Sequence, residues 1–200
     1  MLIERMMLLK RAVYTSDESK NSRFLILCFV EIIGIAIGSY LAVHYESNEF
    51  LRKYFCAELY GGKALEIFGS SVLILTIFLG TAFFLGLFAL GQPLGIVLLM
   101  CMGGKLGCSI ALLYSEKGIN AVPAVLLLYL PRTAAVSVVA LLATREVFRN
   151  SSYLLRSMLG TADPPNLKSF CIRFLVLFAA ALIISAFESL LNYFFGGFVL

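Results

Sequence analysis

The chain has 200 residues, 60% of them hydrophobic and 14% charged, and carries a formal net charge of +4. Soluble domains are about one-quarter charged, so this composition excludes an ordinary water-solvated domain and points to a chain bathed mostly in lipid. The lone histidine, His44, and the scattered cysteines Cys28, Cys56, Cys101, Cys108 and Cys171 form neither a zinc-ligand spacing nor a disulfide framework.

The chain opens on "MLIERMMLLKRAV", a weakly amphipathic segment with basic residues on one side. The apolar run at 24–45 follows. Its long polar lead and the lack of a small-x-small site at its end make it a retained span rather than a cleaved signal. Gly34 and Gly38 are four apart on it, the spacing at which helix backbones approach closely. Residues 46–71 are expected as an outer loop. There Phe50, Leu51, Tyr54, Phe55 and Leu59 form one stripe, ended by Gly61-Gly62. Phe50, Tyr54, Phe55 and Leu59 are candidates for docking a partner; the plainer reading is an interfacial anchor that fixes helix ends.

A second run covers 72–90. Gly91-Gln92-Pro93 then makes a short turn, with the proline opening the third run at 94–114. Gly103 and Gly107 repeat the four-residue spacing on this third run, beside Lys105. After a loop at Ser115-Glu116-Lys117-Gly118, the fourth run covers 121–143 and contains "YLPRTAA". There Pro131 and Arg132 fall near mid-membrane, where a helix break and a fixed charge are both costly. The span is expected to be kinked or broken at Leu130-Pro131, with the freed carbonyls served by the Arg132 guanidinium or by a facing helix. Next, "TREVFRNSSYLLRSMLG" reads as a separate basic amphipathic helix over about 144–159, lying on the anionic inner leaflet. Asp163-Pro164-Pro165-Asn166 ends it, and the fifth run covers 170–191.

The predicted fold is therefore all-α: one membrane domain over 1–200, a polytopic bundle of five transmembrane helices with short amphipathic interfacial helices. Each run is long enough for a hydrocarbon core about 30 Å thick. Basic residues set the orientation. Arg5, Lys10, Arg11, Lys20, Arg23, Arg145, Arg149, Arg156, Lys168 and Arg173 fall on one side, against Arg52, Lys53, Lys63 and Lys117 on the other. This places the N-terminus in the cytoplasm and the C-terminus outside. Tyr40, Tyr45, Tyr54, Tyr60, Tyr114 and Tyr193 then sit at the outer interface.

Four ionisable residues lie within the spans: Glu31, Lys105, Arg132 and Glu188. Intramembrane charges usually pair. Depth along each run pairs Arg132 with Glu31, and Lys105 with Glu188. Two readings stay open for them, a structural charge core and the polar lining of a transport path. No phosphate loop, metal motif or nucleophile–base pair is found by spacing, which argues against an enzyme, a cofactor or a nucleic-acid partner.

The central stretch has Leu79-Gly80, then Gly91 with Pro93, a glycine-rich span, Gly118, and Leu130-Pro131 before an apolar run. In this order of features, and in the last span with its acid Glu188, the chain resembles the stage II sporulation protein M family. The resemblance covers roughly 79–191; the N-terminal third matches only in layout. Arg132 departs from the polar uncharged residue or histidine that follows Leu-Pro in that family. The resemblance implies a non-enzymatic scaffold in the septal or engulfing cell membrane. It would hold two peptidoglycan-degrading partners, a transglycosylase and an amidase. Apart from the resemblance, membrane lipid and a second copy of the chain, as a homo-oligomer, are further expected partners. The alternative class is a permease subunit of a transporter.

Overall fold

The computed structural model describes residues 24–44, 64–160 and 167–199, and every regular element among them is helical. The candidate docking stripe at Phe50, Tyr54, Phe55 and Leu59 lies outside the described residues, as does the N-terminal amphipathic segment. The long helices are α1 (Phe24–His44), α2 (Ala64–Gly86), α3 (Gly91–Lys117), α4 (Leu130–Met158) and α5 (Leu167–Val199). Four stretches are long and apolar enough to cross a membrane: Phe24–His44, Phe68–Gly86, Gly91–Ser115 and Leu167–Phe194. Their outward faces carry large apolar side chains such as Phe29, Ile77 and Ile183, each more than 60% exposed. Surfaces of that kind belong in hydrocarbon rather than water.

Several boundaries differ from those read off the sequence. The second run was expected at 72–90. The helix instead begins at Ala64, inside the expected loop, and stops at Gly86. Leu87 to Leu90 form a tight turn, in which the Leu87, Phe88 and Gly91 amides donate to the carbonyls of Phe84, Leu85 and Phe88. α3 is longer than the run at 94–114 and ends at Gly118, whose amide donates to the Tyr114 carbonyl at φ +56°. Only glycine enters that region without strain.

The fourth run differs most. It is not one α-helix but a 3-10 turn (Gly118–Ala121), a single α turn (Val122–Ala124), a π-helical segment (Val125–Tyr129) and then α4. The change of helix type falls directly ahead of Leu130-Pro131. Pro131 thereby directly follows the π-helical turn in a chain that stays helical through the join, so its missing donor falls where the hydrogen-bond register changes. The basic segment at 144–159 is no separate interfacial helix. α4 runs unbroken through it to Met158, because its inner face is built into the bundle: Val147 is fully buried, and Thr144, Asn150 and Ser151 are buried with it. Asn150 Nδ2 donates to the Gly86 carbonyl at 2.8 Å, and Ser151 Oγ to the Ala89 carbonyl at 2.8 Å. Gln92 Nε2 reaches Ser152 Oγ at 2.7 Å. These bonds serve the orphan carbonyls at the end of α2 and fasten α4 to the α2–α3 turn.

The core lies among α2, α3, α4 and α5, centred on Leu79, Leu99, Val147, Phe170 and Phe174. Phe83 stacks on Phe170 at 5.3 Å and meets Phe174 edge-on at 5.4 Å, which joins α2 to α5. α1 attaches through backbone. A Cβ at Gly34 would lie 2.6 Å from the Met100 carbonyl oxygen, and one at Gly103 would lie 2.7 Å from that of Glu31. Gly38 and Gly107 are closer still, against the carbonyls of Gly104 and Ile35. The two glycine pairs thus face each other within one chain, and Ser39 Oγ donates across the seam to the Gly107 carbonyl at 3.2 Å.

Candidate functional site: a buried ionic network joining three helices

Arg132 follows Pro131 in the first turn of α4, on the side that meets α5. Its Nη1 lies 2.8 Å from Glu188 Oε1. The other carboxylate oxygen, Oε2, accepts a 2.6 Å hydrogen bond from Ser71 Oγ of α2. Ser185 Oγ in turn donates to Ser71 Oγ at 3.3 Å. Ser71, Ser185 and Glu188 are all buried, and the Arg132 side chain is 12% exposed. A carboxylate in hydrocarbon is tolerable only with such partners. The network therefore ties α2, α4 and α5 together through an ion pair and the hydroxyl of Ser71.

For Arg132 this corrects the pairing drawn from depth. Arg132 meets Glu188, not Glu31. Ser137 is the hydrogen-bonding neighbour of Glu31. It lies five residues beyond Arg132, roughly 7.5 Å further along α4. The cause is the glycine seam, which presses the Glu31 backbone against Gly103 and fixes its depth. Glu31 is buried, and its Oε1 has no hydrogen-bond partner. Lys105 lines a small cavity with Ser71, Ser109, Tyr129, Arg132 and Thr133. Its volume is about 20 Å³, room for about one water.

Arg132 also borders a second space, an open crevice of about 280 Å³ between α4 and α5. Ser71, Ser137 and Ser185 were not singled out in the sequence. Ser185 carried a usable signal, since it lies three residues before Glu188 and so shares its helix face. Ser71 fell at the edge of an expected loop and gave none.

A second charged cluster sits beyond the apolar part of α4. Glu146 Oε2 lies 2.7 Å from Arg149 Nη2 and 3.2 Å from Arg173 Nη1 of α5. Burial pushes the Glu146 carboxyl above the ordinary glutamate range, against the pull of Arg173 and Arg145. His44 stacks on Tyr40, one turn before it, at 5.4 Å. Among the described residues, no three His, Cys, Asp or Glu side chains gather as a metal site would require. Comparisons with protein-family models, with curated proteins and with solved structures found no match.

Proposed function

We propose that the chain is a non-enzymatic membrane scaffold of five spans, with its N-terminus in the cytoplasm and its fourth span broken ahead of Pro131. The observation that carries this reading is the buried network of Arg132, Glu188, Ser71 and Ser185. It joins three helices, and the polar space beside it has room for about one water. Such a core fixes how helices pack. The resemblance to the stage II sporulation protein M family supplies the cargo: cell-wall hydrolases, a transglycosylase and an amidase, recruited on the outer side of the septal membrane during endospore formation.

The test is affinity purification of the full chain from sporulating host cells. Two cell-wall hydrolases in near-equal amounts support the scaffold. Replacing Phe50, Tyr54, Phe55 and Leu59 with polar residues is expected to release them while the protein stays folded. Recovery of no hydrolase overturns the reading. A permease subunit is the second reading, favoured by one observation: Lys105 and Arg132 line the same internal cavity. Solute or ion flux through liposomes, with a co-purified ATPase present, is the measurement that would establish it.

A further inference from the structure

We infer that Arg145 and Arg149 of α4, with Arg173 of α5, form a binding site for the phosphate headgroup of an anionic membrane phospholipid. The three arginines gather on one carboxylate. Glu146 Oε2 lies 2.7 Å from Arg149 Nη2 and 3.2 Å from Arg173 Nη1, and the charge of Arg145 acts on it as well. Among the described residues, three cations thus meet one anion at this corner of the bundle.

That excess of positive charge defines the ligand. Sharing one oxygen brings the Arg149 and Arg173 guanidiniums within about 6 Å of each other, where like charges repel. Their side chains are 43% and 42% exposed, so each guanidinium keeps donors open to the outside. A second anion placed across the two relieves the repulsion. Phosphate suits such a pair, because it has several oxygens and a guanidinium binds two of them in parallel.

The surface beside the cluster identifies the source of the phosphate. On α4, Val138, Leu142, Arg145 and Arg149 follow one another at helical spacing and so share one stripe. Val138 and Leu142 are exposed, and the stripe changes from apolar to basic within one turn. α5 runs the other way, so the order there is reversed. Arg173 comes first, and the exposed Val176 lies one turn deeper. Both helices therefore present apolar surface to the hydrocarbon that ends at the arginines. A phospholipid whose tails lie along that surface carries its phosphate at the level of the guanidiniums, and basic sites between membrane helices hold headgroups in this way. The contact is a defined site across two helices rather than a basic helix lying flat, because the other face of α4 is buried in the bundle. Net charge selects among lipids. Phosphatidylethanolamine carries an ammonium that the cluster repels, whereas phosphatidylglycerol offers the phosphodiester alone.

The test is native mass spectrometry of the full chain released from detergent micelles. The chain is titrated with phosphatidylglycerol, with phosphatidylethanolamine of the same acyl chains, and with inorganic phosphate. One phosphatidylglycerol per chain is expected to bind several-fold more tightly than phosphatidylethanolamine. Arg149→Gln and Arg173→Gln are each expected to weaken its binding about fivefold. Lys168→Gln, at an exposed basic residue near the same end but outside the cluster, should leave it unchanged. Arg145→Gln keeps both contacts to Glu146 and serves if the first two variants fail to fold; it too should weaken binding about fivefold. Equal binding of the two lipids, or an equal loss in Lys168→Gln, overturns the site. Inorganic phosphate bound as tightly as phosphatidylglycerol overturns the lipid as its occupant.

Discussion

Arg132 and Glu188 depend on each other more than the bundle depends on either. Removing one member leaves the other charged and buried, which costs about 3–5 kcal/mol, while replacing both with apolar residues of similar size is often neutral. Arg132→Leu and Glu188→Leu are each expected to lower unfolding stability by that amount, and the double variant to recover most of it. A double-mutant cycle read by thermal unfolding in detergent measures the coupling; additive losses would show that the 2.8 Å contact carries no energy. Arg132→Lys should not substitute, because Lys is a flexible point charge without the planar fork of donors. Glu146 makes the opposite kind of prediction. Its carboxyl is held above the ordinary range, so the folded chain binds more protons than the unfolded chain over that window. Stability contributed by this group is therefore present at acid pH and falls as pH rises through the folded value. Glu146→Gln is expected to flatten that slope, in melting curves taken from acid to neutral pH.

The glycine seam between α1 and α3 predicts a sharp contrast between glycines on different helices. Gly38 and Gly107 touch backbone that cannot yield, so Gly38→Ala and Gly107→Ala are each expected to cost about 1–3 kcal/mol. Gly69 and Gly80 on α2 have open space where a Cβ would stand. Alanine there should be neutral or stabilise by up to about 1 kcal/mol, from helix propensity alone. Melting temperatures of the four variants check the contrast; equal losses at all four positions would remove the seam from the account. The four-residue spacing made these glycines legible in the sequence, since only small side chains allow such an approach. Four of the five apolar runs were legible too, because lipid demands long uninterrupted apolarity. Helix ends were not. Polarity changes near residue 143, yet α4 continues to Met158, since Asn150 and Ser151 bond to the α2–α3 turn rather than to water. Nor was the partner of Arg132 legible, because depth along a run assumes one straight helix. The fourth run spends its first turns on 3-10, α and π geometry.

At the scale of the whole molecule, the helix order divides the described turns into two ends. The α2–α3 turn at Leu87 to Leu90 and the C-terminus of α4 at Gly160 lie at one end, held together by Asn150, Ser151 and Gln92. Gly118, after α3, lies at the other. Arg145, Arg149, Arg156, Lys168 and Arg173 all fall near the first end. Basic residues stay on the cytoplasmic side during insertion, so that end is expected to face the cytoplasm. A cysteine-free version with one new cysteine at Leu90, Ile119 or Leu159 tests this, since all three positions are well exposed. A membrane-impermeant maleimide added to intact cells should label the Ile119 variant alone, and all three after permeabilisation. The reverse pattern would invert the molecule in the membrane. Outside labelling of both Leu90 and Ile119 would mean that α3 does not cross. Either result would also undo the scaffold reading, because recruitment of wall hydrolases requires the loop between α1 and α2 to share the side of Ile119.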